Sequence, residues 1–229
     1  MIKSILLDLD DTIFDFQRAE RTALSETLLS LGAVPDNATL SLYNGINRAF
    51  WQALERGEIS REKLLSERFR VLFERLGLPI EPHAAQRTYE KNLSRGHFFM
   101  PGAEETLEAL HGSYALYMVS NGNASVQSGR LASAGIEKYF DGIFISELIG
   151  ADKPSPLFFD RCFEKMPGCL RCDSIIVGDS LTSDILGGKN AGILTCWYNP
   201  MHAENSGGVL PDYEISSLSE LPELVESIR

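Results

Sequence analysis

The sequence has no run of basic residues, no long apolar stretch near its amino terminus and only four cysteines. Its 21 lysine and arginine residues are outnumbered by 32 aspartate and glutamate residues, which gives a formal net charge of −11. Nucleic-acid-binding proteins need a basic patch to displace counterions, so we expect no nucleic-acid partner. A small anionic substrate is compatible with this charge, because a local cation can hold a phosphate group inside an acidic protein.

The first apolar stretch, residues 2–7, ends at Asp8 and is too short for an export signal or a membrane span. We therefore expect a cytoplasmic protein with no membrane partner, whose cysteines are reduced thiols. Cys169 and Cys172 form a C-x-x-C pair, and Cys162 is the only further candidate nearby. A structural zinc site needs more ligands at similar spacing, so reduced thiols are the favoured interpretation.

Short apolar runs alternate with helical patterns over much of the chain. Such runs, rich in valine and isoleucine and without polar alternation, are typical of parallel strands that are buried on both faces. The pattern predicts an α/β fold with a doubly wound, Rossmann-like parallel sheet. The predicted strands are Ile2–Leu7, Ala115–Val119, Ile143–Ile145, Ser174–Val177 and Ile193–Trp197, and the predicted helices are Ala103–Leu110, Ala124–Ala134, Pro156–Lys165, Thr182–Asn190 and Leu218–Ile228.

One long region, residues 16–99, breaks this alternation. Its apolar residues recur at helical spacing, and Gly32, Gly57 and Gly77 mark the expected ends of helices. We interpret it as an all-helical insertion of about four helices after the first strand. The predicted α/β core domain then consists of residues 1–15 and 100–229.

Polar residues follow four of the predicted strands. In an open parallel sheet, ligands bind beyond the carboxyl ends of the strands, so these residues should gather around one crevice. They are Asp8 and Asp10 after the first strand, Ser120 and Asn121 after the second, Lys153 after the third, and Asp179 and Asp184 after the fourth.

A crevice with several carboxylates and one lysine predicts a bound cation. Clustered carboxylates repel one another, and at least one would otherwise have to take up a proton. Oxygen ligands suit Mg²⁺ better than zinc or copper. Mg²⁺ binds through one or two carboxylates and substrate phosphate, which leaves other carboxylates available for catalysis.

The spacing of Asp8 and Asp10 suits phosphoryl transfer. Asp8, at the strand end, can attack phosphorus, while Asp10 can protonate the leaving oxygen and later deprotonate water. Ser120, Asn121 and nearby backbone amides can bind phosphoryl oxygens at the start of a helix. Lys153 can offset charge on the nucleophile and on the transferring group.

These four motifs resemble, in order, those of the haloacid-dehalogenase-like superfamily. They are Asp8-Leu9-Asp10-Asp11-Thr12, Ser120-Asn121, Lys153-Pro154 and Gly178-Asp179-Ser180 through Asp184. The resemblance implies that Asp8 is the nucleophile and Asp10 the general acid/base. It implies Mg²⁺ held by Asp8, the backbone carbonyl of Asp10 and Asp179, with support from Asp184, and it implies that the helical insertion is a cap domain.

Asp10 also bears on the type of reaction. Dehalogenating members lack a carboxylate at this position, because a halide needs no protonation, so Asp10 favours a phosphatase. The stretch from Gly178 to Pro200 resembles the pyrimidine 5′-nucleotidase branch, which implies a nucleoside monophosphate as the small-molecule substrate. The alternatives are a phosphatase of a small sugar or acid phosphate, a haloacid dehalogenase, and a non-catalytic binding member.

Several neighbouring residues have simpler interpretations. Asp11 is expected to be a turn or capping residue, and Asp184 could cap the following helix. Phe14 and Phe16 are the best candidates for stacking on a nucleobase, although aromatic residues at such spacing more commonly belong to a core.

Overall fold

The central feature of the computed structural model, which describes residues 1–205 and 208–228, is a parallel β-sheet. Across those residues it has six strands in the order β3-β2-β1-β4-β5-β6, and every neighbouring pair is parallel. The strands are β1 (Ser4–Leu7), β2 (Ala115–Ser120), β3 (Gly142–Ile145), β4 (Ser174–Gly178), β5 (Leu194–Tyr198) and β6 (Tyr213–Ile215).

Strand β1 occupies the middle of the sheet, between β2 and β4. Leu7 lies opposite Met118 of β2 and Val177 of β4, so all three strands end at the same level. The chain runs from β1 to β2 and β3 on one side, and continues through β4 to β6 on the other. This reversal creates the topological switch point at which open α/β sheets bind ligands.

Helices cover both faces of the sheet. They are α5 (Ala103–Leu110), α6 (Ala124–Ala134), α7 (Ser146–Ile149), α8 (Pro156–Phe163), α9 (Leu186–Ala191) and α10 (Leu221–Ser227). On one face Ile5 and Leu7 pack in a cluster with Leu131 of α6, and on the other Leu6 packs in a cluster with Phe158 of α8. Both faces are therefore dry, which explains the uninterrupted apolar runs of the strands.

The chain divides into two compact units, Met1–Phe16 with His97–Arg229, and Gln17–Gly96. The sheet belongs to the first unit. The second is helical and contains α2 (Asn37–Glu55), α3 (Arg61–Leu76), α4 (Pro82–Leu93) and all but the first residue of α1 (Phe16–Ser30). Helix α3 ends at Gly77, whose φ of 64° gives the left-handed conformation that favours glycine at a helix end.

The helical unit has its own core, which combines aromatic and polar side chains. The buried rings of Tyr43, Phe69 and Tyr89 lie within 5.6 Å of one another, measured between centroids. Buried Arg68 donates to Asn47 at 2.8 Å, and Asn47 donates to Glu20 at 2.6 Å. These interactions hold the buried charge of Arg68 inside an otherwise apolar bundle.

The structure confirms the predicted α/β fold and the first five strands to within two residues. It adds β6 and the four-residue helix α7, which were not predicted. The helix predicted at Thr182–Asn190 instead begins as a π-helical segment, Leu181–Ile185, and continues as α9. Residues 206, 207 and 229 of the predicted core domain lie outside the described residues.

No helix in the described part of the chain combines the length and the apolarity that crossing a membrane requires.

Candidate active site

Three acidic side chains meet beyond the carboxyl ends of β1 and β4. Asp8, Asp179 and Asp184 each direct one carboxylate oxygen into a cluster in which these atoms lie within 4.8 Å of one another. Asp8 follows β1 directly, and Asp179 follows β4, its neighbour in the sheet. Strand topology thus brings together residues about 170 positions apart, as the switch-point rule predicts.

Lys153 reaches this cluster from the loop between α7 and α8, and its side chain is almost completely buried. Its Nζ atom donates to Asp8 Oδ1 at 2.5 Å, to Asp184 Oδ1 at 2.7 Å and to the Val119 carbonyl at 2.8 Å. All three ammonium donors therefore have partners. Lys153 links the nucleophile candidate Asp8 to Asp184 and to the end of β2.

Asn121 fixes the main chain of Lys153. Its side-chain Nδ2 donates to the Lys153 carbonyl at 2.8 Å, and its Oδ1 accepts from the Lys153 amide at 2.8 Å. The Asn121 amide thereby pairs with both polar groups of one residue, as a neighbouring strand would. The predicted role of Asn121 in substrate binding stays a prediction, whereas its contacts hold Lys153 in position.

Burial and charge repulsion shift the pKa values of the cluster. Burial raises the pKa of the Asp8 carboxyl to about 8, with further repulsion from Asp184 and Asp10, although Lys153 opposes the shift. Burial, together with repulsion from Asp8 and Asp184, raises the pKa of Asp179 well above its ordinary value. For Lys153 burial acts against the charge, but Asp184 and Asp8 outweigh it and raise the pKa of the lysine.

The donor set fits Mg²⁺. One lysine does not compensate the three carboxylates, and their raised pKa values show that the site favours additional positive charge. The ligand atoms are all carboxylate oxygens, as a hard divalent cation requires. Asp8, Asp179 and Asp184 are therefore the residues of this chain that could hold such an ion.

The loop that carries Asp179 is held from two sides. The Asp179 amide donates to Thr12 Oγ1 at 3.1 Å, and its carbonyl accepts from Trp197 Nε1 at 2.8 Å. Asp184 Oδ2 accepts from the Ser180 amide at 3.1 Å. The alternative interpretation of Asp184 as a helix cap does not describe this environment, because its carboxylate lies buried between Lys153 and the Asp179 loop.

Asp10 and Ser120 meet at the amino-terminal end of α6. Gln127 Nε2 donates both to Asp10 Oδ2, at 2.6 Å, and to Ser120 Oγ, at 2.8 Å. Arg130 forms an ion pair with Asp10 Oδ1. The Ser120 hydroxyl also accepts from the Gly122 amide at 3.1 Å. The side chain of Asp10 is 28% exposed, so it is held by α6 and remains accessible.

The predicted site residues fall into two connected groups. Asp8, Lys153, Asp179 and Asp184 form the buried cluster, and Asp10 and Ser120 share Gln127 as a partner. Sequence reasoning missed Gln127, Arg130 and Trp197. The spacing of Gln127 and Arg130, three residues apart on a helix that follows a motif, is the signal that could have identified that pair.

The two minor interpretations have clear outcomes. Asp11 is a turn and capping residue, as predicted: its φ is 57°, and its Oδ1 accepts from the Phe16 amide at 2.9 Å. Phe14 is completely buried in the core and packs against Phe99, so it is not available to stack on a base. Phe16 is half-buried and lies beneath the Arg130 guanidinium.

A parallel α/β core with an acidic cluster, a buried lysine and a second aspartate two positions after the first defines the chain as a hydrolase of one family. The sequence model of the haloacid dehalogenase-like hydrolases matches residues 2–192. The chain therefore belongs to the haloacid dehalogenase-like hydrolase family.

Two curated relatives share most of their length with this chain. Pyrimidine 5′-nucleotidase PynA of Streptococcus pneumoniae is 38% identical over 96% of this chain and 93% of that protein. Pyrimidine 5′-nucleotidase YjjG of Escherichia coli is 33% identical over 96% of both chains. The solved structure of the HAD-hydrolase YfnB of Bacillus subtilis, bound to magnesium, is 35% identical, with a TM-score of 0.93 and 98% coverage of both chains.

Proposed function

We propose that this chain is a Mg²⁺-dependent phosphomonoesterase that forms an aspartyl phosphate on Asp8 and hydrolyses nucleoside 5′-monophosphates. One observation carries the proposal: Asp8 is buried against Lys153 within an acidic cluster, while Asp10 stands two residues further at an accessible position. A nucleophile, a compensating cation and an acid/base are thus available within one site.

In the first step, a carboxylate oxygen of Asp8 attacks phosphorus and the bond from phosphorus to the ester oxygen breaks. Protonated Asp10 gives its proton to the departing oxygen, so that the alcohol leaves neutral and Asp10 becomes a carboxylate. Lys153 stabilises the negative charge that is shared by Asp8 and the transferring phosphoryl group.

In the second step, Asp10 accepts a proton from water, and the water oxygen attacks the phosphorus of the aspartyl phosphate. The bond from phosphorus to the Asp8 oxygen breaks, which releases inorganic phosphate and regenerates the Asp8 carboxylate. Asp10 is again protonated, and the cycle is complete.

Asp8 and Asp179 would hold Mg²⁺, together with the backbone carbonyl of Asp10, and Asp184 would support them from its contact with Lys153. Bound Mg²⁺ would neutralise charge on the carboxylates and on the phosphoryl oxygens and would orient the phosphoryl group. Ser120 and the amides at the start of α6 would contact the phosphoryl oxygens that remain.

The substrate class rests on two arguments. Asp10 supplies the proton that an alkoxide leaving group needs, which supports an ester substrate over a haloacid. The names of the relatives from S. pneumoniae and E. coli support a pyrimidine nucleoside monophosphate. The core residues above contact only the phosphoryl group, so we assign selection of the leaving group to the predicted cap domain, residues 16–99.

A panel of phosphomonoesters tests the substrate assignment. Purine and pyrimidine nucleoside monophosphates should be assayed beside small sugar and acid phosphates such as phosphoglycolate, each with and without Mg²⁺. We expect the highest kcat/KM for pyrimidine nucleoside monophosphates. A higher value for a sugar or acid phosphate would replace the nucleotidase assignment with the alternative phosphatase, and inactivity on every ester would refute both.

Metal removal should abolish activity and lower stability. We expect EDTA-treated protein to be inactive, and Mg²⁺ to restore activity where Ca²⁺, which accepts looser geometry, does not. Because Mg²⁺ would bind only the folded cluster, a concentration of 100 times its Kd should stabilise the fold by about 2.7 kcal/mol. Urea unfolding with and without Mg²⁺ measures this, and identical curves would contradict the proposed metal site.

Gly178→Ala should disrupt the acidic cluster without removing any functional group. A methyl group at Gly178 would lie 2.3 Å from both Cγ and Oδ2 of Asp184, so that Asp184 must move away from Lys153. A shift of about 1 Å can cost about 10²-fold in rate, so we expect kcat to fall by at least about tenfold.

The matched control for this prediction is Gly45→Ala in α2, where an added methyl group meets nothing within 4 Å and φ is not positive. This control should keep full activity and gain a little helix stability. Equal activities of the two variants would show that the position of Asp184 does not matter.

A further inference from the structure

The carboxylate of Asp10 is held by two side chains of one helix. Gln127 donates to its Oδ2 at 2.6 Å, and Arg130 forms an ion pair with its Oδ1. The two residues are three positions apart on α6, so they lie on the same face of the helix. Each carboxylate oxygen thus has one fixed donor and keeps lone pairs for a further partner.

The environment of Arg130 fixes its guanidinium. The side chain is completely buried, and its guanidinium carbon lies 5.1 Å from the ring centre of Phe14 and 5.7 Å from that of Phe16. Planar stacking on aromatic rings and a charge-assisted contact with a carboxylate both favour arginine over lysine at such a position. Arg130 can therefore hold Asp10 at a defined place above the sheet.

Gln127 is fixed from three directions. It accepts from Arg130 Nη1 at 3.0 Å and donates to Ser120 Oγ at 2.8 Å, in addition to its contact with Asp10. A methyl group at Gly122 would lie 2.3 Å from Gln127 Nε2, so the glycine leaves the space that this side chain occupies. Gln127 joins the candidate phosphate-binding serine to the candidate acid/base.

We propose that Gln127 and Arg130 are positioning residues that hold Asp10 where it can transfer a proton to and from the substrate. The inference rests on the proposed function, in which Asp10 is the general acid/base. Asp10 lies on a short loop and is partly exposed, so without these two partners its carboxylate would rotate among several orientations. Proton transfer requires hydrogen-bond distance to the reacting oxygen, and a rotating carboxylate meets that condition only part of the time.

Positioning of an acid has a signature that a purely structural role lacks. The alkoxide of a nucleoside monophosphate must be protonated as it leaves, whereas p-nitrophenolate leaves as an anion. The kcat/KM value reports steps up to the first irreversible one, here the formation of the aspartyl phosphate. Loss of Asp10 positioning should therefore lower kcat/KM for alkyl esters and spare it for aryl esters.

Arg130→Met and Gln127→Met test this inference, with uridine 5′-monophosphate as the alkyl ester and p-nitrophenyl phosphate as the aryl ester. Since general acid catalysis contributes about 10²–10⁴-fold, we expect each variant to lose about 10–100-fold in kcat/KM on the alkyl ester. The loss on the aryl ester should stay within about threefold, since no proton is required there. Gln127→Met keeps the test informative if Arg130→Met does not fold.

Arg161→Met is the matched control. Arg161, on α8, also donates to main-chain carbonyls, those of Ile149 and Gly150, but it does not contact Asp10. Any loss in this variant should be equal for the two esters. An equal loss for both esters in Arg130→Met and Gln127→Met would overturn the positioning role.

Combination with Asp10→Asn separates this inference from the proposed function. In that background, Arg130→Met should cause no further loss on the alkyl ester, because both residues act through the same proton transfer. A further loss of tenfold or more would overturn the inference while Asp10 kept its role. Full alkyl-ester activity in Asp10→Asn alone would instead refute the proposed function of Asp10.

Discussion

Replacement of Asp8 by asparagine is expected to abolish phosphomonoester hydrolysis, with a fall in kcat of at least about 10⁴-fold, because the covalent route loses its nucleophile. Asparagine has nearly the same shape, and Lys153 keeps Asp184 as a partner, so the variant should remain folded. Steady-state assays on uridine 5′-monophosphate and p-nitrophenyl phosphate measure the loss. It should be equally severe for both esters, since both need the nucleophile.

The neighbouring substitution Asp11→Asn is the matched control for Asp8→Asn. Asp11 has a φ of 57°, which asparagine also adopts, and an asparagine oxygen can still accept from the Phe16 amide. We expect activity within a few-fold of the unaltered protein. Asp8→Asn with more than about one hundredth of normal kcat would contradict the assignment of Asp8 as nucleophile.

Lys153→Met is expected to lower both activity and stability. Removal of the ammonium leaves Asp8 and Asp184 buried without their cation, and breaking a buried ion pair costs about 3–5 kcal/mol. We expect kcat to fall by about 10²–10³-fold, as for the loss of other preorganised charge-stabilising groups. Urea unfolding without divalent cations and steady-state assays with Mg²⁺ measure the two effects separately.

Lys189→Met provides the comparison for Lys153→Met. Lys189 pairs with Asp212 on the surface, and its side chain is 37% exposed, so its loss should cost at most about 1 kcal/mol. Activity should not change, because Lys189 contacts none of the cluster residues. If Lys153→Met unfolds at the same urea concentration as Lys189→Met, Lys153 does not hold the buried carboxylates together.

Much of the core could be predicted from the sequence because its strands are buried on both faces. Runs such as Ser4–Leu7 and Ser174–Gly178 carry no polar alternation, which distinguishes them from surface strands. Strand β6, Tyr213–Ile215, escaped prediction because it has three residues at the sheet edge and includes exposed Glu214. A signal that short does not separate a strand from a loop.

The candidate site was predictable to the extent that strand ends determine it. Asp8, Ser120 and Asp179 follow adjacent strands, so sheet topology alone brings them to one edge. The contact of Lys153 with Asp8 and Asp184 agrees with that expectation, although the lysine comes from a loop. The roles of these residues in catalysis stay predictions until the variants above are measured.

The supporting contacts could not be predicted in the same way. A buried arginine such as Arg130 has the same one-letter pattern as an exposed one, and only the fold reveals its stacking on Phe14. The Asn121 side chain pairs with the main chain of Lys153, 32 positions away, which no local pattern encodes. The π-helical segment Leu181–Ile185 likewise depends on the burial of Asp184 rather than on helix propensity.

Trapping of the covalent intermediate tests the central claim most directly. Protein mixed rapidly with substrate and Mg²⁺, quenched in acid and digested, should yield one peptide that carries an added phosphoryl group at Asp8, as read by mass spectrometry. Hydroxylamine should remove this group, because it is an acyl phosphate, and Asp8→Asn should not acquire it. A phosphoryl group on any other residue, or rapid turnover with no phosphorylated peptide, would contradict the account.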